Sequence, residues 1–226
     1  MIDLALFHQT LAPAALGDEV RALLGKPLRR ASLFAQLAAC GAWRLIPAER
    51  RGWPTALLWQ STSGPRGETL TLLDEMDGAG EPMPFDFLAA QPAIAAAQLQ
   101  PLLPGLTHSL HCPLDRCDAA DWSLLLGLAV DRLTGGKSRQ VLCAHLDAWD
   151  DRLIAHWLLL SAEPLENPAW RLHLQEQPPV ATSGLPDTPD LPARLSAAPQ
   201  ARLTLATAQP APRTLEFVRC PTHIGN

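Results

Sequence analysis

The chain has 226 residues, of which 47% are hydrophobic and 18% charged, a balance typical of a globular protein and not of a disordered one. A formal net charge of −5 without a cationic patch excludes the broad basic surface that nucleic-acid binding needs. No apolar run approaches the roughly 20 residues needed to cross a bilayer, which argues against membrane insertion.

The N-terminus and the cysteines favour a cytoplasmic protein. No basic region precedes the short apolar stretch at the N-terminus, so the start of the chain does not read as a secretory signal. The cysteines, Cys40, Cys112, Cys117, Cys143 and Cys220, are odd in number and lack the spacing of a disulfide framework. We therefore expect reduced thiols that are mostly buried.

Buried strands and amphipathic helices alternate through the first part of the chain. Residues 2–7 are typical of a central strand, and a short helix should follow and end at Gly25. Ser32 is a plausible N-cap for a helix that runs to residue 43. Residues 55–60 predict a second buried strand.

The next segment contains a loop, a helix and a longer helix. The loop STSGPRG at residues 61–67 is a candidate phosphate-binding loop through its amides and Arg66, but it lacks the Lys of a P-loop, which favours a plain connection. A helix should span residues 68–76. Residues 85–103 predict a long helix that Pro92 kinks or begins.

A strand at residues 107–110 and an apolar helix at residues 119–133, stopped by Gly135-Gly136, come next. Either Asp118 or Asp121 is expected to cap this helix. Another buried strand is predicted at residues 140–145.

The last part of the chain predicts antiparallel strands. Residues 154–161 and 170–175 alternate like neighbouring strands separated by a turn. Six prolines in residues 178–199 predict a loop without a regular element, and residues 202–206 and 214–219 predict a final β-hairpin.

These elements predict an α/β fold with a layered βαβαβ core, helices on both faces and hairpin additions at an edge. We expect a main unit at residues 1–176, a Pro-rich loop at 177–200, and a hairpin at 201–226 that packs on the same domain.

Several polar residues are candidates for chemistry. A metal site is one interpretation of the histidines and cysteines at positions 108, 111, 112, 117, 143 and 145. The paired spacing of common zinc sites is missing, so buried thiols and a surface imidazole are favoured. Cys117 is a candidate nucleophile because it precedes a long helix, although the nearby aspartates disfavour its thiolate form. Asp147, Asp150 and Asp151 are expected to form a solvated acidic patch rather than a cation site.

Four runs, in order, resemble the ketosynthase branch of the thiolase superfamily, particularly its divergent β-ketoacyl-synthase-like N-terminal domains. They are GKPLRRASLFAQLAACGA (25–42), TALLWQSTSGPRGETLTLLDEM (55–76), PMPFDFLAAQPAIAA (from 82) and the strand, elbow, helix and strand of residues 107–147 followed by HWLLLS. The resemblance covers about residues 1–175 and rests on order and spacing. It implies a thiolase-like layered half.

The departures from the family suggest a subunit without catalysis. The resemblance places Ala119, flanked by Asp118 and Ala120, where active ketosynthases have the cysteine that carries the acyl group. Cys117 is the fallback nucleophile. The second thiolase half, which supplies two histidines, has no room in the remaining residues. The resemblance therefore implies a chain-length-factor-like subunit with no catalytic residue and no cofactor.

The same resemblance implies partners and a binding face. The expected partner is an active β-ketoacyl synthase in a heterodimer, with an acyl carrier protein involved indirectly. The strand before the elbow and the helix after residue 84 would form the dimer face. The residues expected at the acyl tunnel and dimer face are Met83, Phe85, Phe87, Leu88 and Gln91. The alternative for these residues is that they belong to an ordinary core. The alternatives for the protein are a small acyltransferase or thioesterase using Cys117 or Cys112, or a plain interaction scaffold.

Overall fold

A computed structural model describes residues 1–28, 31–78, 83–116, 118, 120–175, 184–207 and 213–221. The strands are β1 (Ile2–Leu11), β2 (Thr55–Ser61), β3 (Leu106–Pro113), β4 (Gln140–Ala148), β5 (Leu153–Ser161), β6 (Trp170–Gln175), β7 (Arg202–Thr207) and β8 (Arg213–Arg219). The α-helices are α1 (Pro13–Leu24), α2 (Leu33–Leu45), α3 (Arg66–Asp77), α4 (Pro84–Ala89), α5 (Ile94–Leu99), α6 (Trp122–Thr134) and α7 (Leu191–Ala197).

Within these residues, the strands form one sheet in the order β3-β2-β4-β5-β1-β6-β8-β7. β2 runs parallel to β3 and β4, and every other neighbouring pair is antiparallel. Fully buried runs in β2 and β4 explain their central positions, since both faces of these strands are covered. The predicted α/β fold with a late hairpin at an edge is confirmed.

Apolar clusters fill both sides of the sheet. One cluster packs α1, α2 and α5 against β2, β4 and β5, with Phe34, Trp59 and Trp157 at its centre. The other packs α6 and α7 on the opposite face, around Trp122 and Leu158. This two-sided covering gives the layered arrangement that the sequence predicted.

Local sequence signals predicted several helix boundaries correctly. The Ser32 hydroxyl accepts a hydrogen bond from the Ala35 amide at 3.1 Å, which confirms the predicted N-cap of α2. Helix α1 ends at Gly25 with φ of 70°, a left-handed conformation that suits glycine. Helix α6 ends at Thr134, before Gly135, as the sequence predicted.

The prediction that residues 154–161 and 170–175 form neighbouring strands is wrong. β1 lies between β5 and β6 and pairs with both, for example through Leu4, which is opposite Leu160 on one side and Trp170 on the other. The first strand of the chain therefore completes the sheet between two strands formed much later in the sequence. Alternation along a strand gives its faces and not its neighbours.

Two helix predictions also need correction. The long helix expected at residues 85–103 is two short helices, α4 and α5, separated around Pro92, because proline lacks an amide donor and disfavours a helical residue before it. The Pro-rich stretch at residues 178–199 was expected to hold no element, but α7 lies within it. Pro192 is in the first turn of α7, where a missing amide costs nothing.

Candidate functional site

One polar residue from each of five adjacent strands lies at the same level of the sheet. Cys112 of β3 pairs with Gln60 of β2, Gln60 with His145 of β4, His145 with His156 of β5, and His156 with His8 of β1. Residues paired across neighbouring strands point to the same face. We call this set the cross-sheet row, and it lies on the α6 side of the sheet.

Three imidazoles occupy one end of the cross-sheet row. The ring of His156 lies 6.3 Å from that of His8 and 6.2 Å from that of His145, measured between centroids. Burial lowers the pKa of His156 to about 4, and the charges of His145 and His8 add to this effect. His156 is therefore neutral at physiological pH.

Asp147 anchors the row to the loop after β2. Its carboxylate accepts hydrogen bonds from the Ser61 hydroxyl at 3.0 Å and from the Thr62 and Ser63 amides at 2.8 Å each. Its second oxygen lies 3.1 Å from Nε2 of His145. Burial favours a raised pKa for Asp147, but the hydrogen bonds and the charge of His145 outweigh it and lower that pKa.

This arrangement corrects one prediction and explains another. Asp147 was expected in a solvated acidic patch with Asp150 and Asp151, but it is only 3% exposed, whereas those two residues lie at the surface. The loop amides considered for phosphate binding bind a carboxylate of the same chain instead. Arg66 begins α3, so the loop is the plain connection that the sequence favoured.

The start of α6 is capped from a distant segment, residues 184–190, which we call the strap. The two oxygens of Asp187 accept hydrogen bonds from the Trp122 and Ser123 amides at 2.9 and 3.0 Å. The indole of Trp122 donates to the Pro189 carbonyl at 3.3 Å, and Gln60 accepts from the Asp121 amide at 2.6 Å. The strap therefore covers the helix N-terminus beside the cross-sheet row.

The sequence predicted the position of the N-cap but not the side chain that caps the helix. Asp121 occupies the N-cap position of α6 without a side-chain hydrogen bond to the helix. The exposed Asp118 pairs with Arg116 at 2.6 Å. The first amides of the helix donate to a carboxylate from 65 residues further along the chain, a partner that no local pattern reveals.

The predicted elbow is described only in part. Cys117 and Ala119 lie outside the described residues. Ala120 is half-buried and packs against the α6 cluster. Burial raises the pKa of the Cys112 thiol and the carboxylate of Asp121 raises it further, so Cys112 is a protonated thiol and a poor nucleophile.

The histidines and cysteines considered as metal ligands do not converge in the described part of the chain. His111 stacks on Trp59 at 3.9 Å between centroids, on the face of the sheet opposite to Cys112. Cys143 is buried and its thiol contacts the Leu125 carbonyl. No group of three or more His, Cys, Asp or Glu side chains among the described residues is placed to hold a metal ion.

The residues expected at the acyl tunnel and dimer face lie on and beside α4, at the surface. Phe87 is 57% exposed, and Met83, Phe85, Leu88 and Gln91 are also exposed. The alternative of an ordinary core does not apply to them in this chain. Their role stays a prediction.

β3 is an open edge of the sheet. Among the described residues it pairs with β2 on one side only, and residues 107–110, half of the strand, are exposed. No helix in the described part of the chain is long and apolar enough to span a bilayer.

Sequence reasoning missed His8, Gln60, His156 and Asp187. Their positions in the sequence are far apart, and each lies in an apolar strand or a Pro-rich stretch that gives no motif. The only available signal was a polar residue inside an otherwise apolar strand, such as His156 within IAHWLLLS.

Comparison with known proteins gives a fold and no closer relative. Neither a protein-family model nor a curated protein matches the chain. A chain of the ketosynthase ApeO in complex with its chain length factor ApeC from Xenorhabdus doucetiae is similar in structure, with a TM-score of 0.56 and 15% identity over 96% of this chain and 99% of that one.

Two further structures are similar over nearly the whole chain. The ishigamide ketosynthase/chain length factor matches with a TM-score of 0.62 and 11% identity over 96% of this chain and 99% of that one. The third is AntDE:AntF, a type II acyl carrier protein in complex with its hexaketide-bound ketosynthase. It matches with a TM-score of 0.56 and 10% identity over 97% of this chain and 99% of that one. These likenesses confirm the predicted thiolase-like fold.

Proposed function

We propose that this chain is a non-catalytic, chain-length-factor-like subunit. It forms a heterodimer with an active β-ketoacyl synthase in the cytoplasm and shapes the acyl tunnel of that enzyme. The pathway class is polyketide, aryl-polyene or fatty-acid-like biosynthesis, with an acyl carrier protein engaged through the ketosynthase. The ketosynthase-like half corresponds to residues 1–176.

The observation that carries the proposal is the fold likeness over the whole chain. Two of the similar structures, at TM-scores of 0.56 and 0.62, contain a ketosynthase with a chain length factor, and a third is a complex of a ketosynthase with an acyl carrier protein. Two features that have no partner within the described residues support the same conclusion. They are the open edge at β3 and the exposed apolar side chains of α4.

The chemistry of the cross-sheet row supports the absence of catalysis. A ketosynthase needs a thiolate to form its acyl thioester, whereas the conditions around Cys112 keep it protonated. The N-terminus of α6 would stabilise an anion, but Asp187 already occupies the amides of Trp122 and Ser123. Both features disfavour the alternative of a small cysteine-dependent acyltransferase at Cys112.

The test is to co-express the chain with the ketosynthase encoded nearest to it, and to compare the products of the wild-type complex with those of Phe87→Ala. We expect the two proteins to co-purify. Truncating an exposed phenyl ring on α4 should leave the fold unchanged and lengthen the product, because a smaller side chain leaves more room at the tunnel floor. Mass spectrometry of the products measures this length.

Leu124→Ala is the matched control, since Leu124 is also an exposed apolar helix residue but lies on α6. It should leave the product spectrum unchanged. Failure to co-purify contradicts the proposed function, and an unchanged spectrum for Phe87→Ala contradicts the tunnel role of α4. An acyl adduct on Cys117 or Cys112 after exposure to a carrier-bound substrate would contradict the absence of catalysis.

A further inference from the structure

Helices α3 and α4 together present an exposed apolar surface. Leu70, Leu73 and Met76 of α3 are exposed, as is Phe85 of α4. The two helices pack against each other, and a depression of about 300 Å³ lies between them and the start of α2 at Leu33. We call the exposed faces of these two helices the α3–α4 surface. Apolar groups grouped in this way on a protein surface mark a binding site for another protein.

The α3–α4 surface is also strongly acidic. Asp74, Glu75 and Asp77 are exposed on α3, and Asp86 is half-buried on α4. In the described part of the chain, none of these four carboxylates forms an ion pair, whereas eight carboxylates elsewhere pair with arginines. Among the described residues, acidic and apolar groups therefore occur together on this surface, and no cation of the chain is in a salt bridge with these carboxylates.

The spacing along α3 places carboxylates next to exposed leucine side chains. Asp74 is four residues after Leu70, and Asp77 is four residues after Leu73. Residues four apart are neighbours on a helix surface. Each of these exposed leucines thus has a carboxylate one turn away, which frames the apolar stripe with negative charge.

We infer that the α3–α4 surface binds the ketosynthase subunit through an apolar contact framed by arginine or lysine side chains of that subunit. This inference rests on the proposed function, and it adds the chemistry that selects the partner. A second copy of the chain is disfavoured on this surface, because it would bring carboxylates against carboxylates. The acidic frame thus selects a hetero-partner over self-association.

The experiment reverses two charges of the frame with Asp74→Lys/Asp77→Lys. Binding to the ketosynthase encoded nearest to the chain is measured by biolayer interferometry across salt concentrations. Because both positions are exposed, the variant should fold normally, which its thermal unfolding checks. We expect its dissociation constant to rise about tenfold at low salt, and binding of the variant to be less weakened by added salt than that of the wild type.

The control is Glu49→Lys/Glu166→Lys, which changes the net charge equally at exposed positions outside the α3–α4 surface. Its affinity should stay within about twofold of the wild type, as expected for exposed charges outside an interface. If Asp74→Lys/Asp77→Lys binds as tightly as the wild type, the inference is wrong and the heterodimer stands. If the wild type does not bind the ketosynthase, or binds only itself or the carrier protein through this surface, both proposals fail.

Discussion

His156 is a neutral imidazole in the folded sheet, and at acidic pH it gains a proton when the protein unfolds. Its pKa is about 4 in the folded chain against the ordinary 6.5. The unfolded chain therefore binds this proton more readily, so the free energy of unfolding decreases as pH falls below about 6.5, and this loss continues down to about 4. The full effect is roughly 3 kcal/mol at 1.36 kcal/mol for each pKa unit.

The prediction is a flatter pH dependence for His156→Gln. The groups that face His156 are His145 and His8, which oppose its protonation, and Asp147 and Asp190, which favour it. Urea unfolding at pH 7.0, 6.0 and 5.0 measures the slope. Wild-type stability should fall across this range, and the variant should lose much of that fall even if its stability at pH 7.0 is lower. Equal slopes would show that His156 is not the group responsible.

At the level of single residues, burial was harder to predict than chemical type. The sequence identified Asp147 as an acidic residue after a strand, but not that Ser61, Thr62 and Ser63 would surround it. The cross-sheet row has the same cause, since its members come together only through strand pairing across the sheet. Pairing of distant strands is a property of the whole fold and leaves no local pattern.

The contact between α2 and β5 depends on one missing side chain. A Cβ built on Gly41 of α2 would lie 2.0 Å from Nε1 of the Trp157 indole, a distance at which atoms overlap. Trp157 is completely buried, so its ring has no solvent to move into. The helix approaches the sheet closely because residue 41 is glycine.

We expect Gly41→Ala to lower the free energy of unfolding by about 1–3 kcal/mol, the usual cost of overpacking a core. Chemical denaturation measures this change. The control is Gly17→Ala in the exposed part of α1, where a Cβ would contact nothing within 4 Å and should stabilise the protein by about 0.5–1 kcal/mol. A Gly41→Ala protein as stable as the wild type would contradict the close packing of α2 on Trp157.

Elements with strong local signals were predicted well, and those shaped by prolines were not. β2 and β4 appeared as short apolar runs, and the Ser32 cap and Gly25 marked helix ends. Pro92 breaks a helix and Pro192 begins one, although both look alike in sequence. The difference is the position of each proline relative to the first helical turn, which depends on packing around it.

The whole sheet has two edges of different character. β3 at one edge is exposed, while β7 at the other pairs with β8 and buries Leu203 and Leu205 in the α6 cluster. An open edge strand with unpaired backbone groups is ready to pair with another chain. Under the proposed function, the edge that receives the ketosynthase is β3.

Leu110→Lys tests this edge. Leu110 lies midway along β3 and is 39% exposed, so a lysine there should leave the fold intact but place a charge in the proposed contact. We expect the amount of ketosynthase that co-purifies to fall at least about tenfold, the effect of burying an unpaired charge in an interface. Ala206→Lys, an exposed position on β7, is the control and should co-purify normally. Equal recovery with both variants would argue against pairing at β3.

The position of β1 has a consequence for synthesis on the ribosome. Its partners β5 and β6 begin at Leu153 and Trp170, so the first strand to be made has no place in the sheet until three quarters of the chain has emerged. Translation at roughly 5–20 residues per second keeps that apolar strand without its partners for about 7–30 seconds. The nascent chain therefore needs a chaperone or rapid packing of β1 against α1 and α2 to protect it before the sheet can close around it.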